Sequence, residues 1–148
     1  MNTHDNKHND SHCKTTDKKT LVVIGGGFAG LHLVKRLNKR QWDVVVIDRF
    51  NFHSFPPLFY QVASAGLDPG SISFPLRREM RQRRLRGCTF HLGEVSEIDT
   101  TTKTLSTQYE TLHYDTLVIA AGTTNNFFGN DSLQQSVYTL KSVPEAIR

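Results

Sequence analysis

The order of apolar and polar positions along the 148 residues predicts alternating strands and helices from about residue 20 onward. Residues 20–25, TLVVIG, are a short apolar run ending in glycine, which is typical of a buried parallel strand. Leu31, Val34 and Leu37 follow at helical spacing, with basic residues on the opposite side. A second apolar run, DVVVID, ends at Asp48. We therefore expect a strand–helix–strand unit built on a parallel sheet.

The pattern in the second half of the chain predicts shorter strands. The runs CTFHLGEV, EID, KTLST and TLHY alternate between polar and apolar residues and are separated by polar turns, which predicts an antiparallel meander over residues 88–114. Residues 115–122, DTLVIAAG, indicate a return to a buried parallel strand. The expected fold class is α/β, a three-layer Rossmann-like domain with a small antiparallel β-meander on one side.

The net charge of +4 comes from one segment. RREMRQRRLR, residues 77–86, holds six arginines and one glutamate, a net charge of +5. Leu76, Met80 and Leu85 indicate an amphipathic helix with a solvated basic face. Contact with anionic lipid or a protein partner is the alternative. Nucleic-acid binding is disfavoured, because no aromatic residue interleaves with the arginines to stack on bases.

Residues 1–19 are polar and are expected to form a disordered tail ahead of an ordered domain at 20–148. Histidines recur every four residues from His4 to His12, next to Cys13, a spacing that would align metal ligands on a helix. Nothing else in the tail favours a helix or would orient the ligands. No metal site is predicted.

The sequence also bears on cellular location. The N-terminus lacks the apolar core of a signal peptide, and no run approaches the ~20 apolar residues of a membrane span. Cys13 and Cys88 provide neither a disulfide framework nor a C-x-x-C pair. We expect a cytoplasmic protein.

A glycine-rich turn, Gly25-x-Gly27-x-x-Gly30, joins the first strand to the helix. Gly25 permits the tight turn, Gly27 lets the backbone approach a pyrophosphate, and Gly30 allows close packing of helix on strand. The helix N-terminus offers unpaired N–H groups to the phosphates. Asp48, 21 residues after Gly27, is placed to accept hydrogen bonds from an adenosine ribose. This arrangement predicts dinucleotide binding, with a purely structural turn as the alternative.

Two features help to identify the dinucleotide. Asp48 favours an unphosphorylated ribose, hence NAD or FAD over NADP, although Arg49 is adjacent. Residues 50–70, FNFHSFPPLFYQVASAGLDPG, are rich in aromatic residues and proline, which suits the apolar wall that a flavin requires. This favours FAD, with core packing alone as the alternative. His53 is interpreted as a hydrogen-bonded structural residue, with proton donor or quinone ligand as the alternative.

These residues resemble the N-terminal FAD-binding part of type II NADH dehydrogenases, the single-subunit NADH:quinone oxidoreductases that do not pump protons. They are flavoproteins with two dinucleotide-binding domains. The resemblance is carried by VVIGGGFAGLHLVKRL, VIDRFNFHSFPPLFYQVASAGLDPGSISFPLR, FHLGEVSEIDTTTKTL, YDTLVIAAGTTNNFFG and YTLKSVPEAIR, which together run through residues 20–148.

The resemblance implies FAD as cofactor, with NADH and a quinone as substrates of the complete enzyme. It implies an FAD/NAD(P)-binding domain in which Pro57 and Leu58 approach the isoalloxazine, with Gln61 nearby. The resemblance implies that the pyrophosphate is surrounded by Gly25, Gly27, Phe28, Ala29 and Gly30. Asp48 would hold the adenosine ribose, Arg49 would lie close to the adenosine side, and Val95 would meet the adenine through its backbone. Ala121 and Gly122 would let the chain pass close to the cofactor. Catalytic residues lie further along the chain in the family, and none is assigned here.

Two positions depart from the family pattern. Pro56 stands where many relatives have a polar residue, often glutamine, so a polar contact is not expected there. Ala120-Ala121-Gly122 replaces the usual Ala-Thr-Gly, which loses a hydroxyl but keeps the small residues that close backbone approach requires.

The largest departure is length, since family members continue into an NADH-binding domain and a membrane-binding region. The chain is thus incomplete relative to the family, and we expect it to end before the NADH-binding domain and to lack full activity alone. Uncovered strand edges would favour self-association. A complete member would lie peripherally at the cytoplasmic face of the membrane. The alternatives are a non-catalytic nucleotide-binding fragment or partner domain, or another FAD-dependent pyridine nucleotide oxidoreductase.

Overall fold

The computed structural model describes residues 18–148. No helix within this range is long and apolar enough to cross a membrane. Short 3-10 turns occur at Pro56–Leu58, Pro69–Ser71 and Arg83–Leu85. The strands and helices, in chain order, are β1 Lys19–Ile24, α1 Phe28–Arg36, β2 Trp42–Asp48, β3 Phe52–Ser54, α2 Phe59–Ala63, β4 Ser73–Pro75, α3 Leu76–Met80, β5 Cys88–Leu92, β6 Val95–Asp99, β7 Thr104–Thr107, β8 Thr111–His113, β9 Thr116–Ile119, α4 Asp131–Ser136 and α5 Val143–Ala146.

The centre of the fold is a four-stranded parallel sheet in the order β5-β2-β1-β9. β1 lies inside the sheet, with Val22 opposite Val45 of β2 and Leu117 of β9. Its side chains are apolar on both faces because both faces of the sheet are covered. The predicted strand–helix–strand unit and the late parallel strand are therefore confirmed.

The sheet is the middle of three layers. On one face, α1 and α3 pack against the strands, and Val23, Val34 and Leu76 belong to the same buried cluster. On the other face lies an antiparallel meander of β6, β7 and β8, whose Leu105 packs with Val22. The expected three-layer α/β architecture is confirmed.

The start of the meander was wrongly predicted. Residues 88–92 were expected to open it, but β5 pairs in parallel with β2, with Thr89 opposite Val45. β5 is the edge strand of the parallel sheet, so its outer positions are partly exposed and its sequence alternates like an antiparallel strand. The meander begins only at Val95, after β5 has ended at Leu92.

The arginine-rich segment is not one helix. α3 ends at Met80, and a separate 3-10 turn covers Arg83–Leu85. Leu76, Met80 and Leu85 are nevertheless all buried, as the pattern predicted. On a continuous helix, Leu85 would point about 180° away from Leu76, since each residue turns the helix by about 100°. The break lets both leucines face the sheet.

The aromatic segment after Asp48 forms a lobe of its own. β3 pairs with β4 as an antiparallel ribbon that the sequence did not predict, with α2 between the two strands in the chain. Phe59 of α2 is 1% exposed and clusters with Val143 and Ala146 of α5. Tyr60, by contrast, is 59% exposed. Part of this segment is therefore core, and part of it faces outward.

We expect Leu105→Ala to lower the free energy of unfolding by about 2–5 kcal/mol, because it removes a fully buried side chain between the meander and the sheet. Leu92→Ala is the matched control, since Leu92 lies exposed at the end of β5, and should cost about 0.5 kcal/mol or less. Urea unfolding followed by circular dichroism measures both. Equal losses would contradict the packing of the meander.

Candidate dinucleotide-binding site

The glycine turn after β1 is shaped by close backbone contacts. Gly25 has a φ of +106°, and a Cβ on it would lie 2.2 Å from the carbonyl oxygen of Ala120. A Cβ on Gly30 would lie 1.9 Å from the carbonyl oxygen of Gly25. The tight turn and the close packing of helix on strand, both predicted for these glycines, are therefore present.

Gly27 differs from its neighbours because it faces open space. It is the N-cap residue of α1, and a Cβ on it would meet no atom within 4 Å. The first turn of α1 contains no acidic residue, so its N–H groups and partial positive charge have no side-chain carboxylate beside them in that turn. Phe28 and Ala29 of this turn are exposed. The arrangement is that of an anion-binding helix N-terminus with room for a phosphate.

The carboxylate of Asp48 ties the end of β2 to the glycine turn. Its Oδ2 accepts a hydrogen bond from the backbone N–H of Gly26 at 2.7 Å, and its Oδ1 accepts one from the N–H of Phe50 at 2.9 Å. A carboxylate oxygen has a second lone pair, so both oxygens retain acceptor capacity. Asp48 is therefore able to hold the turn and to accept ribose hydroxyls.

Two adjoining cavities open in front of the turn, with volumes of about 520 and 310 Å³. Volumes in this range are typical of cofactor sites. Val95 lines the smaller cavity. The larger cavity collects the predicted residues Gly25, Gly27, Phe28, Ala29, Asp48, Arg49, Ala121 and Gly122.

Four predicted residues do not line these cavities. Gly30 is buried beneath the turn, where it acts through packing. Leu58 packs against the cluster formed by α2 and α5, and the side chain of Gln61 donates to the hydroxyl of Tyr60 at 3.1 Å. Pro56, rather than Pro57, lines the larger cavity. Contact of Pro57, Leu58 and Gln61 with a flavin ring stays a prediction.

The larger cavity also contains residues that the sequence interpretation missed. Lys141 and Ser142 line it, and the Lys141 ammonium donates to the Thr123 hydroxyl at 3.0 Å. The Glu145 carboxylate accepts hydrogen bonds from the Thr139 hydroxyl at 2.6 Å and the Lys141 backbone N–H at 2.8 Å. These bonds hold the pKa of Glu145 below its usual range. Ser142 is the N-cap of α5, and its hydroxyl accepts a hydrogen bond from the Glu145 N–H. Its place beside the glycine turn depends on tertiary packing.

His53 is a structural part of the site. It is 7% exposed, and its Nδ1 lies 3.0 Å from the carbonyl oxygen of Gly26, to which it donates when Nδ1 is protonated. Its ring centroid lies 4.9 Å from that of Phe28 in an edge arrangement and 4.9 Å from that of Phe74. These contacts agree with the interpretation of His53 as a residue that fixes the loop.

Residues 19–146 match the family described as pyridine nucleotide-disulphide oxidoreductase. The chain belongs to this family. Among its relatives is the type II NADH:quinone oxidoreductase Ndh of Mycobacterium tuberculosis, 36% identical over 132 residues that cover 86% of this chain and 28% of that protein. NdhA of the same organism is 35% identical over 131 residues, covering 86% and 27%. These matches confirm the resemblance to type II NADH dehydrogenases and the oxidoreductase class, and they agree with FAD as cofactor.

Solved structures of other oxidoreductases share the fold. NDH2 of Plasmodium falciparum, determined in complex with NADH, superposes with a TM-score of 0.81 at 21% identity, covering 88% of this chain and 27% of that one. The sulfide:quinone oxidoreductase of Aquifex aeolicus gives a TM-score of 0.77 at 26% identity, covering 87% and 30%. The chain thus spans less than a third of the length of each of these relatives.

Replacement of His53 tests its hydrogen bond to the glycine turn. His53→Leu should lower the free energy of unfolding by about 1–3 kcal/mol, because it leaves the Gly26 carbonyl without its partner. His53→Asn should lose less, since its amide N–H lies near the position of Nδ1 and is able to donate. Thermal and urea unfolding measure both variants. If Asn proved as destabilising as Leu, packing of the imidazole ring would matter more than the hydrogen bond.

Proposed function

We propose that the chain is the FAD-binding part of a flavoprotein oxidoreductase that transfers electrons from NADH to a quinone. The observation that carries this proposal is the open space in front of Gly27, at the N-terminus of α1, in the same cavity as the carboxylate of Asp48. An anion-binding backbone beside a ribose-binding carboxylate is the combination that a dinucleotide requires.

The residues that line the two cavities fit the pyrophosphate and adenosine parts of FAD. The turn from Gly25 to Ala29 would hold the pyrophosphate through backbone N–H groups, and Asp48 would hold the adenosine ribose. Val95 lies in the adjoining cavity and would meet the adenine through its backbone. Gly122 has a φ of +76°, and a Cβ on it would meet no atom within 4 Å, which leaves room for close approach of a cofactor. When bound, FAD supplies two-electron transfer between a hydride donor and a quinone.

Two cationic side chains of the larger cavity would balance the two negative charges of a pyrophosphate. Arg49 follows the ribose-binding carboxylate, and its guanidinium lies 5.1 Å from the centroid of the Phe50 ring. Lys141 lines the same cavity, and its ammonium donates to the Thr123 hydroxyl. Charge-assisted hydrogen bonds of this kind are roughly twice as strong as neutral ones. Lys141 is therefore added to the residues proposed to bind FAD.

NADH and quinone are proposed as substrates from the names of the relatives most similar in sequence. Sulfide is the competing electron donor, because the Aquifex aeolicus structure is that of a sulfide:quinone oxidoreductase. Cys88 lies in the core against the helix layer, where burial raises the pKa of its thiol and the charge of Lys39 partly offsets the effect. A buried, protonated thiol is a poor nucleophile, so Cys88 does not favour sulfur chemistry.

Gly27→Val should abolish FAD binding, because a branched side chain would fill the space in front of the turn that the pyrophosphate needs. The same change should leave stability within about 1 kcal/mol, since φ at Gly27 is −74° and its Cβ would meet no protein atom within 4 Å. Quenching of flavin fluorescence on titration, together with urea unfolding, measures both quantities. Normal affinity in this variant would place the phosphates elsewhere.

Asp48→Ala should weaken FAD binding by about 1–3 kcal/mol, the value of a lost charge-assisted hydrogen bond. Glu94→Ala is the control, because Glu94 is an exposed carboxylate of the adjoining cavity that the proposal does not use. Isothermal titration with FAD compares the two variants. A larger loss for Glu94→Ala than for Asp48→Ala would remove Asp48 from the ribose site.

The electron donor is tested in the protein that carries these residues, loaded with FAD and mixed with a soluble quinone. Consumption of NADH that depends on FAD and is lost in Gly27→Val supports the proposal. Faster quinone reduction with sulfide than with NADH would contradict the NADH assignment while leaving FAD binding intact.

A further inference from the structure

Positive charge is concentrated on the layer of helices. Residues 28–41 and 76–87 contain ten basic residues and one acidic residue, Glu79, a net charge of +9. The rest of the chain then carries −5, because the whole chain carries +4. We call the basic residues of these two segments the basic face: Lys35, Arg36, Lys39, Arg40, Arg77, Arg78, Arg81, Arg83, Arg84 and Arg86.

The two segments form one continuous surface in space. The Lys39 ammonium donates to the backbone carbonyl of Arg84, which joins the end of α1 to the 3-10 turn. The Lys35 ammonium lies 3.5 Å from the Glu79 carboxylate, which joins α1 to α3. Both segments bury their apolar side chains, Val34 and Leu85 among them, against the sheet. Their basic residues are consequently left on the outer side of the layer.

Most of this charge is not neutralised within the face. Nine of the ten basic residues are exposed, and Lys39 is half-buried. Glu79 bonds to Lys35 and also accepts from the Gln82 amide, so its charge is already in use. Arg77 lies 5.9 Å above the ring of Phe90 and remains exposed. The other arginines of the second segment are exposed to solvent, where their charge is available to an anionic partner.

The basic face is separate from the dinucleotide cavities. None of its ten residues lines either cavity of the proposed FAD site. The cavities open at the N-terminus of α1, whereas the basic residues of α1 lie in its last turn, about 12 Å along the helix axis. Binding of FAD therefore does not account for these charges.

We propose that the basic face binds the surface of a membrane rich in anionic lipids. Its charges are spread over the outer side of a helix layer, which suits a broad anionic surface, and each Lys or Arg near such a surface strengthens binding about fivefold. Nucleic acid is disfavoured because exposed aromatic residues do not interleave with the arginines. This inference does not rest on FAD binding.

Vesicle sedimentation tests the proposal with the full chain. The probes are vesicles of phosphatidylcholine alone and vesicles in which about a third of the lipid is phosphatidylglycerol, each at low and at high salt. The charge-removing variant is Arg78→Gln, Arg81→Gln and Arg83→Gln together. The charge-conserving variant is Arg78→Lys, Arg81→Lys and Arg83→Lys together. Lys19→Gln, Lys103→Gln and Arg148→Gln together form the control, which removes the same charge outside the basic face.

The proposal requires binding to the anionic vesicles only, and loss of that binding at high salt. The charge-removing variant should bind about a hundredfold more weakly, whereas the Lys variant and the control should each stay within about fivefold of the parent chain. All variants alter exposed side chains, and circular dichroism checks that they fold. Absence of vesicle binding, equal losses in the charge-removing variant and the control, or tighter binding to an RNA duplex than to vesicles at the same salt would each overturn the proposal.

Discussion

The site depends on how closely three backbone segments approach one another at the end of β1. Neither Gly25 nor Gly30 leaves room for a side chain, because the Ala120 carbonyl and the Gly25 backbone occupy the space. This contact places the turn into α1 beside the end of β9, the strand next to β1. Even a methyl side chain on Gly25 or Gly30 would push α1 away from the strands and change the direction of the N–H groups in its first turn. The position of the glycine turn therefore depends first on backbone packing.

Asp48 adds a second constraint to the same turn. Its carboxylate accepts from Gly26 on one side and from Phe50 on the other, so it connects the glycine turn, the end of β2 and the start of the aromatic segment. His53 holds the other polar group of Gly26, its carbonyl. Both backbone groups of Gly26 are thus bonded by side chains, one from the last residue of β2 and one from β3. The turn is consequently held in one conformation, which would lower the entropy cost of binding the proposed FAD.

The parts of the fold that could be predicted from sequence are those with local signatures. The run at Val22, the glycine spacing and the acid at Asp48 lie within a single strand–helix–strand unit, so their pattern is visible within about 30 consecutive residues. β5 and the break after α3 could not be predicted in the same way. The partner of β5 is a strand some forty residues earlier, and the break exists because Leu76 and Leu85 must both reach the sheet. Long-range packing decides such features, and local pattern does not encode it.

The position of Lys141 could not be predicted from local pattern either. Lys141 lies 93 residues beyond Asp48, yet both line one cavity. Apolar packing links the two regions, because Phe59 and Val62 of α2 pack with Val143 and Ala146 of α5. This packing holds Lys141 and Ser142, which directly precede α5, in the cavity in front of the glycine turn. The Glu145 bonds to Thr139 and to the Lys141 backbone then fix the approach of that lysine. The aromatic segment therefore contributes to the site in two ways: Phe50 and Phe52 line the cavity, and Phe59 packs against α5, which directly follows Lys141 and Ser142.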